Sequence, residues 1–276
     1  MQLARVRPEF EIVSVDAMCV YRGMDIGTAK PTLEDRAEVR HHLVDIVDPA
    51  DDYSLTRFQD DCAAAVRDIE ERDKRALLVG GTGLYVRAAV DGLDVPPRFP
   101  DVKAALDAEP DTHALYERLK ALDPPAATKM LPGNRRRILR ALEVCVGSGR
   151  PFSSFGPGLD AYRPTPFRLI GLWPSRDALA LRLGARFGAM LEAGFVDEVR
   201  RLATSDISRT ARQALGYRQL LEHVEHDRPL DDCVTDAVKA TVHFARRQRV
   251  WFRRDPRIAW FPSDIGPDAI LRTADW

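Results

Sequence analysis

Near the start of the chain, the apolar positions Ile12, Val13 and Val15, with Ser14 among them, run up to a single acid, Asp16. So short an apolar run, followed by a polar and glycine-bearing segment, predicts a buried strand over residues 11–15. Leu55, Phe58, Cys62, Val66 and Ile69 recur at spacings of three and four, which predicts a helix over residues 51–72. A second apolar strand over residues 76–79 is followed by a glycine turn and a helix that starts near Leu84. Strand, helix, strand, glycine turn and helix is the rhythm of a parallel α/β sheet. Residues 101–146 are helical in pattern, with breaks at "DPPAA" and "LPGN". After the Gly, Ser and Pro loop "GSGRPFSSFGPG", residues 167–173 predict another buried strand, and residues 176–202 and 231–252 predict helices. No internal repeat is visible. The pattern assigns residues 1–95 to an α/β core, continued by about 135–175 and 246–276, with about 96–134 and 176–245 as a mostly helical insertion.

Composition adds boundaries rather than identity. The 276 residues, 45% hydrophobic and 30% charged, suffice for one large or two small domains. No apolar run approaches the ~20 residues of a membrane span, and "MQLARVRPEF" has no apolar segment of a secretion signal. Cys19, Cys62, Cys145 and Cys233 are scattered without a Cys-x-x-Cys pair, which fits reduced thiols in the cytoplasm. The net charge of −1 hides an uneven distribution. Residues 31–74 hold 13 Asp or Glu against 6 Lys or Arg, whereas residues 235–257 hold 7 Lys or Arg against 2 Asp. The C-terminal stretch can therefore present a positive face.

Asp16 is the first candidate for chemistry. A carboxylate at the C-terminal end of a parallel strand lies where ligands bind in open α/β sheets, and it can take a proton or hold a metal. The competing role is an Asp that opens a turn. Tyr21, Arg22, Asp25, Thr28 and Lys30 make a polar cluster just behind it. In "VGGTGLY", Gly80, Gly81 and Gly83 allow close backbone approach and Thr82 offers a hydroxyl, so the segment is either a tight turn or a substrate loop. Three further stretches are basic. "NRRRILRALEV" places Arg136 and Arg140 on one helix face. "RQALGYRQ" gathers Arg212, Gln213, Tyr217 and Arg218 around Gly216. "ARRQRVWFRRD" sets Arg246, Arg247, Arg249, Arg253 and Arg254 around Trp251 and Phe252. Arginine pairs phosphates and aromatic rings stack on unpaired bases, so the last stretch fits RNA as well as a solvated helix face. The tandem His41 and His42 lack a metal-ligand spacing and are read as structural.

Taken together, "EIVSVDAMCVYRGMDIGTAKP", "HHLVDIVDP", "LLVGGTGLYVRAAVDGL", "RRRILRALEV", "LEAGFVDEVRRL", "ARQALGYRQ" and "RRQRVWFRRD" resemble, in order, the motifs of the tRNA dimethylallyltransferases. The resemblance runs from about residue 11 to residue 260. It implies a fold similar to P-loop nucleotide kinases with a helical insertion. It also implies Mg²⁺-assisted transfer of the dimethylallyl group from dimethylallyl diphosphate to N6 of adenosine 37, in the tRNA anticodon stem-loop. Asp16 matches the family's catalytic aspartate. The resemblance further implies tRNA contact by Asp16, Ala17, Met18 and Cys19, and by Arg136, Arg137, Ile138, Leu139 and Arg140. It implies the same for Arg212, Gln213, Ala214, Leu215, Gly216 and Tyr217, and for Arg246, Arg247, Gln248, Arg249, Val250, Trp251, Phe252 and Arg253. A cytoplasmic monomer without membrane contact is expected.

The chain departs from the family at one point. Members begin with a strand and a G-x-x-x-x-G-K-[ST] loop for the diphosphate, and nothing in these 276 residues matches that loop. Met1 is expected to fall inside the first helix of the family, so the strand and the loop are expected to be absent and transfer by this polypeptide to be impaired. A start codon set too far downstream would explain it; genuine truncation is the rival. Three competing functions are an RNA-binding remnant without catalysis, an enzyme that prenylates free adenine nucleotides, and, last, a nucleotide kinase.

Overall fold

The structure is a computed structural model, and residues 1–273 of it are described here. The chain forms two compact units, residues 1–91 with 164–276 and residues 92–163; residues 274–276, assigned to the core from sequence, lie outside the described residues.

The first unit opens with α1 (Gln2–Val6), β1 (Phe10–Ser14), α2 (Leu33–Glu38), β2 (His41–His42), α3 (Leu55–Glu70), β3 (Arg75–Val79) and α4 (Gly83–Asp91). β1 is buried along its whole length and is parallel to β2 on one side and to β3 on the other. A strand covered on both faces needs an unbroken apolar run, which is why the first motif is not alternating. α3 starts at Leu55 rather than at residue 51 because Ser54 caps it, its side chain accepting from Arg57 N at 3.1 Å. Phe58, Cys62, Ala65 and Ile69 form the stripe it buries.

The second unit is helical: α5 (Pro100–Asp107), α6 (Thr112–Leu122), α7 (Pro124–Thr128) and α8 (Arg135–Ser148), then a 3₁₀ turn at Phe152–Ser154. Its core joins Leu106 of α5, Leu115 and Leu119 of α6, and Ile138, Leu142 and Cys145 of α8. Those three α8 residues recur on one helix face, and the leucines of α5 and α6 cover them. Residues 135–163 therefore belong with the insertion, not with the sheet as read from sequence. The break at "DPPAA" is set by Asp123, a buried carboxylate that accepts from Ala126 N at 3.1 Å and from Ser153 N and Oγ at 2.7 Å each.

The chain then returns to the first unit as β4 (Leu169–Trp173), α9 (Arg176–Glu192), α10 (Phe195–Ala203), α11 (Arg209–Arg212), α12 (Tyr217–His226), α13 (Leu230–Phe252), β5 (Ile258–Pro262) and α14 (Pro267–Thr273). Residues 164–245 so rejoin the sheet unit, where the sequence pattern had set 176–245 apart. The single helix expected over residues 176–202 is two, interrupted where Gly194 takes a left-handed conformation at φ +92°. β4 and β5 pair in parallel as a separate two-stranded sheet, so the parallel architecture is present in two pieces.

Glu11 shows how the first sheet is tied. Its buried carboxylate accepts from Arg72 Nη2 at 2.8 Å, contacts Arg72 Nη1, and lies 2.7 Å from His42 Nε2. The hydrogen bonds from Arg72, then from His42, outweigh burial and hold the carboxyl down to about 2 from an ordinary 4.5. A depressed carboxylate stabilises the fold fully above its unfolded value and loses that contribution as pH falls. Glu11→Gln is accordingly expected to cost about 2 kcal/mol at neutral pH, since the charge-assisted hydrogen bonds from Arg72 and His42 are weakened while Arg72, itself partly exposed, can turn to solvent. It should also flatten the stability profile between pH 4.5 and 2; denaturant melts across that range test both effects.

Candidate functional site

Asp16 follows β1 after one residue, Val15, at the C-terminal end of the strand. Its Oδ1 accepts from Met18 N at 2.8 Å and from Cys19 N at 3.3 Å. This is the turn-opening role, and it is also a way to aim a carboxylate. A carboxylate has two oxygens and about four lone-pair sites, so the turn fixes the side chain and leaves capacity for a further donor. Cys19, three residues further on, is no competing nucleophile: burial, then the charge of Asp16, pushes its thiol up to about 12.

The glycine segment lies beside Asp16. Val15 N donates to Val79 O at 2.7 Å, the last rung of the β1–β3 pair. A Cβ on Gly80 would sit 2.0 Å from Val15 O, so only glycine lets the two strand ends come this close. α13 covers the same segment. Gln248 Nε2 donates to Gly81 O at 2.8 Å, and the Trp251 indole packs on Gly83. The Thr82 carbonyl accepts from Tyr85 N and Val86 N at the start of α4. Asp16, the segment Gly80–Gly83 and the last turns of α13 are thus one neighbourhood, assembled from three stretches singled out in the sequence.

Along α13, Arg246, Arg247, Val250 and Arg253 are exposed, whereas Gln248, Arg249, Trp251 and Phe252 are half-buried. The Arg249 guanidinium lies over the Trp173 ring of β4, 3.9 Å from its centroid. Trp251 packs inward on Gly83, while Arg246, Arg247 and Arg253 face out. In the stretch Arg212–Tyr217, Arg212 pairs with Glu225, and Gln213 is exposed. Ala214 and Tyr217 are buried, so their side chains offer no surface to RNA. Lys30, in the polar cluster behind Asp16, is fully engaged. Its Nζ contacts Tyr21 O and lies 2.7 Å from Asp25 and 2.6 Å from Asp45.

In the second unit, Arg136 and Arg137 are exposed. Ile138 and Leu139, assigned to tRNA contact by resemblance, are 0% and 6% exposed in the core of that unit. Their side chains are removed from any RNA surface. Arg140 is held within the unit, its Nη2 donating to Pro96 O at 2.6 Å and its Nη1 lying 2.9 Å from Glu143. His41 and His42 are structural, one ring nitrogen near Val39 O and the other near Glu11.

Sequence reasoning passed over Glu198. It lies on α10 among Phe195, Val199 and Leu202, all buried, and is itself only 2% exposed. The signal was present: an acid inside an apolar helical stripe must find partners there.

Comparison with known proteins bears on the whole chain. The profile of a family described as IPP transferase matches residues 19–255. The chain is 46% identical over 265 residues to a tRNA dimethylallyltransferase of Kineococcus radiotolerans, covering 94% of this chain and 83% of that protein. It is 46% identical over 272 residues to the protein of the same name from Roseiflexus castenholzii, covering 95% and 87%. Among solved structures it is similar to the full-length tRNA isopentenylpyrophosphate transferase of Bacillus halodurans, with a TM-score of 0.70 at 33% identity over 98% of this chain and 87% of that one. It is also similar to a eukaryotic dimethylallyltransferase acting on tRNA, with a TM-score of 0.78 at 25% identity over 99% of this chain and 71% of that one.

Proposed function

The chain belongs to the IPP transferase family, and on that premise we propose that it transfers a dimethylallyl group from dimethylallyl diphosphate to N6 of adenosine 37 in tRNA. The observation that carries the reading is the placement of Asp16. A carboxylate aimed by its own turn stands at the end of a parallel strand, beside a glycine segment and under a helix with an outward arginine row.

The chemistry needs such a group. The exocyclic amine of adenine is a poor nucleophile because its lone pair is delocalised into the ring. As N6 attacks C1 of the dimethylallyl group, the N–C bond forms, the C1–O bond breaks, and the electron pair leaves on the diphosphate. The proton that N6 sheds passes to Asp16. Positioned proton transfer of this kind is worth about 10²–10⁴ in rate. The base must leave its stack to reach the carboxylate, at a cost of a few kcal/mol, and contacts to the surrounding stem-loop supply that energy.

Gly80, Gly81, Thr82 and Gly83 are proposed to border the bound diphosphate. Among the described residues no group of three or more His, Cys, Asp or Glu side chains is placed to hold a metal. Mg²⁺ is proposed to arrive with the diphosphate, in keeping with its preference for phosphate and water ligands. No helix of the described residues is long and apolar enough to cross a membrane, and the proposed setting is a monomer in the cytoplasm.

The RNA-facing part of the reading is tested on α13. Replacing Arg246, Arg247 and Arg253 together by Ala removes three exposed cations without touching the core. Affinity for an anticodon stem-loop is expected to fall about 10²-fold or more at low salt. The slope of log K against log salt should shrink by about two to three, at roughly one per lost phosphate contact. Fluorescence anisotropy over a salt series measures both. An unchanged slope would remove this helix from the RNA interface.

A further inference from the structure

Glu198 is a buried carboxylate whose donors are all neutral. Its Oε2 accepts from Asp25 N at 3.0 Å and Ile26 N at 2.9 Å, and its Oε1 accepts from Gly27 N at 3.3 Å and Tyr217 Oη at 2.5 Å. The Tyr217 phenol is held protonated by burial and by the charge of Glu198, so it stays a donor. One side chain of α10 therefore grips three successive backbone N–H groups of the turn at residues 25–27 and the first residue of α12. The contact is close-packed as well. A Cβ on Gly27 would lie 2.3 Å from the Phe195 ring and 2.5 Å from the Tyr217 ring, both buried.

The gripped turn leads back to Asp16. Thr28 Oγ1 donates to Met24 O at 2.6 Å, and the Thr28 carbonyl lies 4.0 Å from Cys19 Sγ. Lys30 ties the far end of the turn to Tyr21 O. Thr28 and Lys30 thus touch Cys19 and Tyr21, and Cys19 N is one of the two donors that aim Asp16. The same carboxylate that anchors this turn also anchors Tyr217, at the end of the stretch Arg212–Tyr217.

We propose that Glu198 is a positioning residue: its grip on the turn at residues 25–27 and on Tyr217 sets where the Asp16 carboxylate stands relative to the segment Arg212–Tyr217. The proposal rests on the reading of Asp16 as the proton acceptor. Glutamine is the sharp substitution, because it keeps the shape but replaces one acceptor oxygen with an NH₂ that meets N–H donors. Charge and a second acceptor are lost where four donors converge.

The test has two arms. In the first, amide hydrogen exchange is followed in the folded 276-residue chain and in Glu198→Gln. Protection at Met18 and Cys19 is expected to fall at least 10-fold in the variant, together with that of residues 25–27. Loss confined to residues 25–27 would overturn the proposal, since the effect would stop short of Asp16. In the second arm, transfer to an anticodon stem-loop is measured for Glu198→Gln, Asp16→Asn and the double variant. Glu198→Gln is expected to lower kcat about 10- to 100-fold with little change in KM for the diphosphate, in line with the sensitivity of catalysis to ~1 Å misplacement. In the Asp16→Asn background it should add nothing, because two residues that act as one unit are not additive. Full additivity would mark Glu198 as merely structural. Tyr217→Phe, which removes one donor and spares the three backbone contacts, serves if Glu198→Gln does not fold, with an expected 3- to 10-fold fall in kcat. A Tyr217→Phe chain with parent kcat and parent protection at Met18 would equally overturn the proposal. Full activity of Asp16→Asn alone would instead count against the proton-acceptor reading, whatever the exchange data show.

Discussion

Asp16→Asn is expected to lower prenyl transfer to an anticodon stem-loop by about 10²- to 10⁴-fold, the range for loss of a positioned general base. Asparagine is the informative replacement because its side-chain oxygen can still accept from Met18 N and Cys19 N, the bonds that hold the turn. The amide cannot accept a proton from N6. Binding of the stem-loop should therefore stay within a factor of a few of the parent, and the loss should fall on kcat rather than on KM. Asp16→Ala removes the turn as well, so it is expected to lose at least as much activity and some local order. Mass spectrometry of digested nucleosides scores the product, and a mixing series with free adenosine monophosphate as acceptor reports whether the RNA is required. An Asp16→Asn chain that retains a third of parent turnover would leave the carboxylate with only its turn to explain it.

Much of this neighbourhood was legible in the sequence because local rules and the fold agree there. The run that ends at Asp16 had to be a strand covered on both faces, and β1 is parallel-paired on both sides. A tight glycine turn was one of the two readings of Gly80–Gly83, and the close approach of Val15 to Gly80 accounts for it. What was not legible depends on partners distant along the chain. Ile138 and Leu139 were carried into the RNA interface with their whole motif, although helix periodicity puts them opposite the exposed Arg136 and Arg137. The cover over α8 comes from leucines of α5 and α6, and only the packed structure shows that this helix belongs with the insertion. Glu198 sits 171 residues beyond Gly27, one of the backbone groups it binds, and no spacing rule reaches that far. His42 meets Glu11 across the sheet, and the other partner of that carboxylate, Arg72, lies 61 residues away.

Gly80→Ala carries the second large expectation, because it strikes fold and chemistry at one point. The added methyl would lie 2.0 Å from Val15 O, 2.6 Å from Val15 C and 2.9 Å from Val15 Cβ. Two of these three atoms are backbone, Val15 is buried, and its N–H bonds Val79 O, so no flexible side chain can move aside. The strand ends must separate by about 1 Å to reach a tolerable contact, which breaks the last rung and shifts the residue that follows Val15, Asp16 itself. Overpacking of this kind costs about 1–3 kcal/mol or more in stability. A displacement of ~1 Å at a catalytic group costs about 10²-fold in rate. Gly184→Ala is the matched control. Gly184 lies within α9, and a Cβ there meets nothing within 4 Å, so alanine should be neutral or stabilise by about 0.5–1 kcal/mol through helix propensity. Thermal melts and single-turnover transfer on the two variants separate the cases. If Gly80→Ala melts and turns over like the parent, the ends of β1 and β3 are not held together, and the fixed placement of Asp16 loses its support. If it keeps its melting point but loses turnover, the strain has been absorbed by moving the Asp16 turn alone, which is the outcome expected of a carboxylate whose position the reaction depends on.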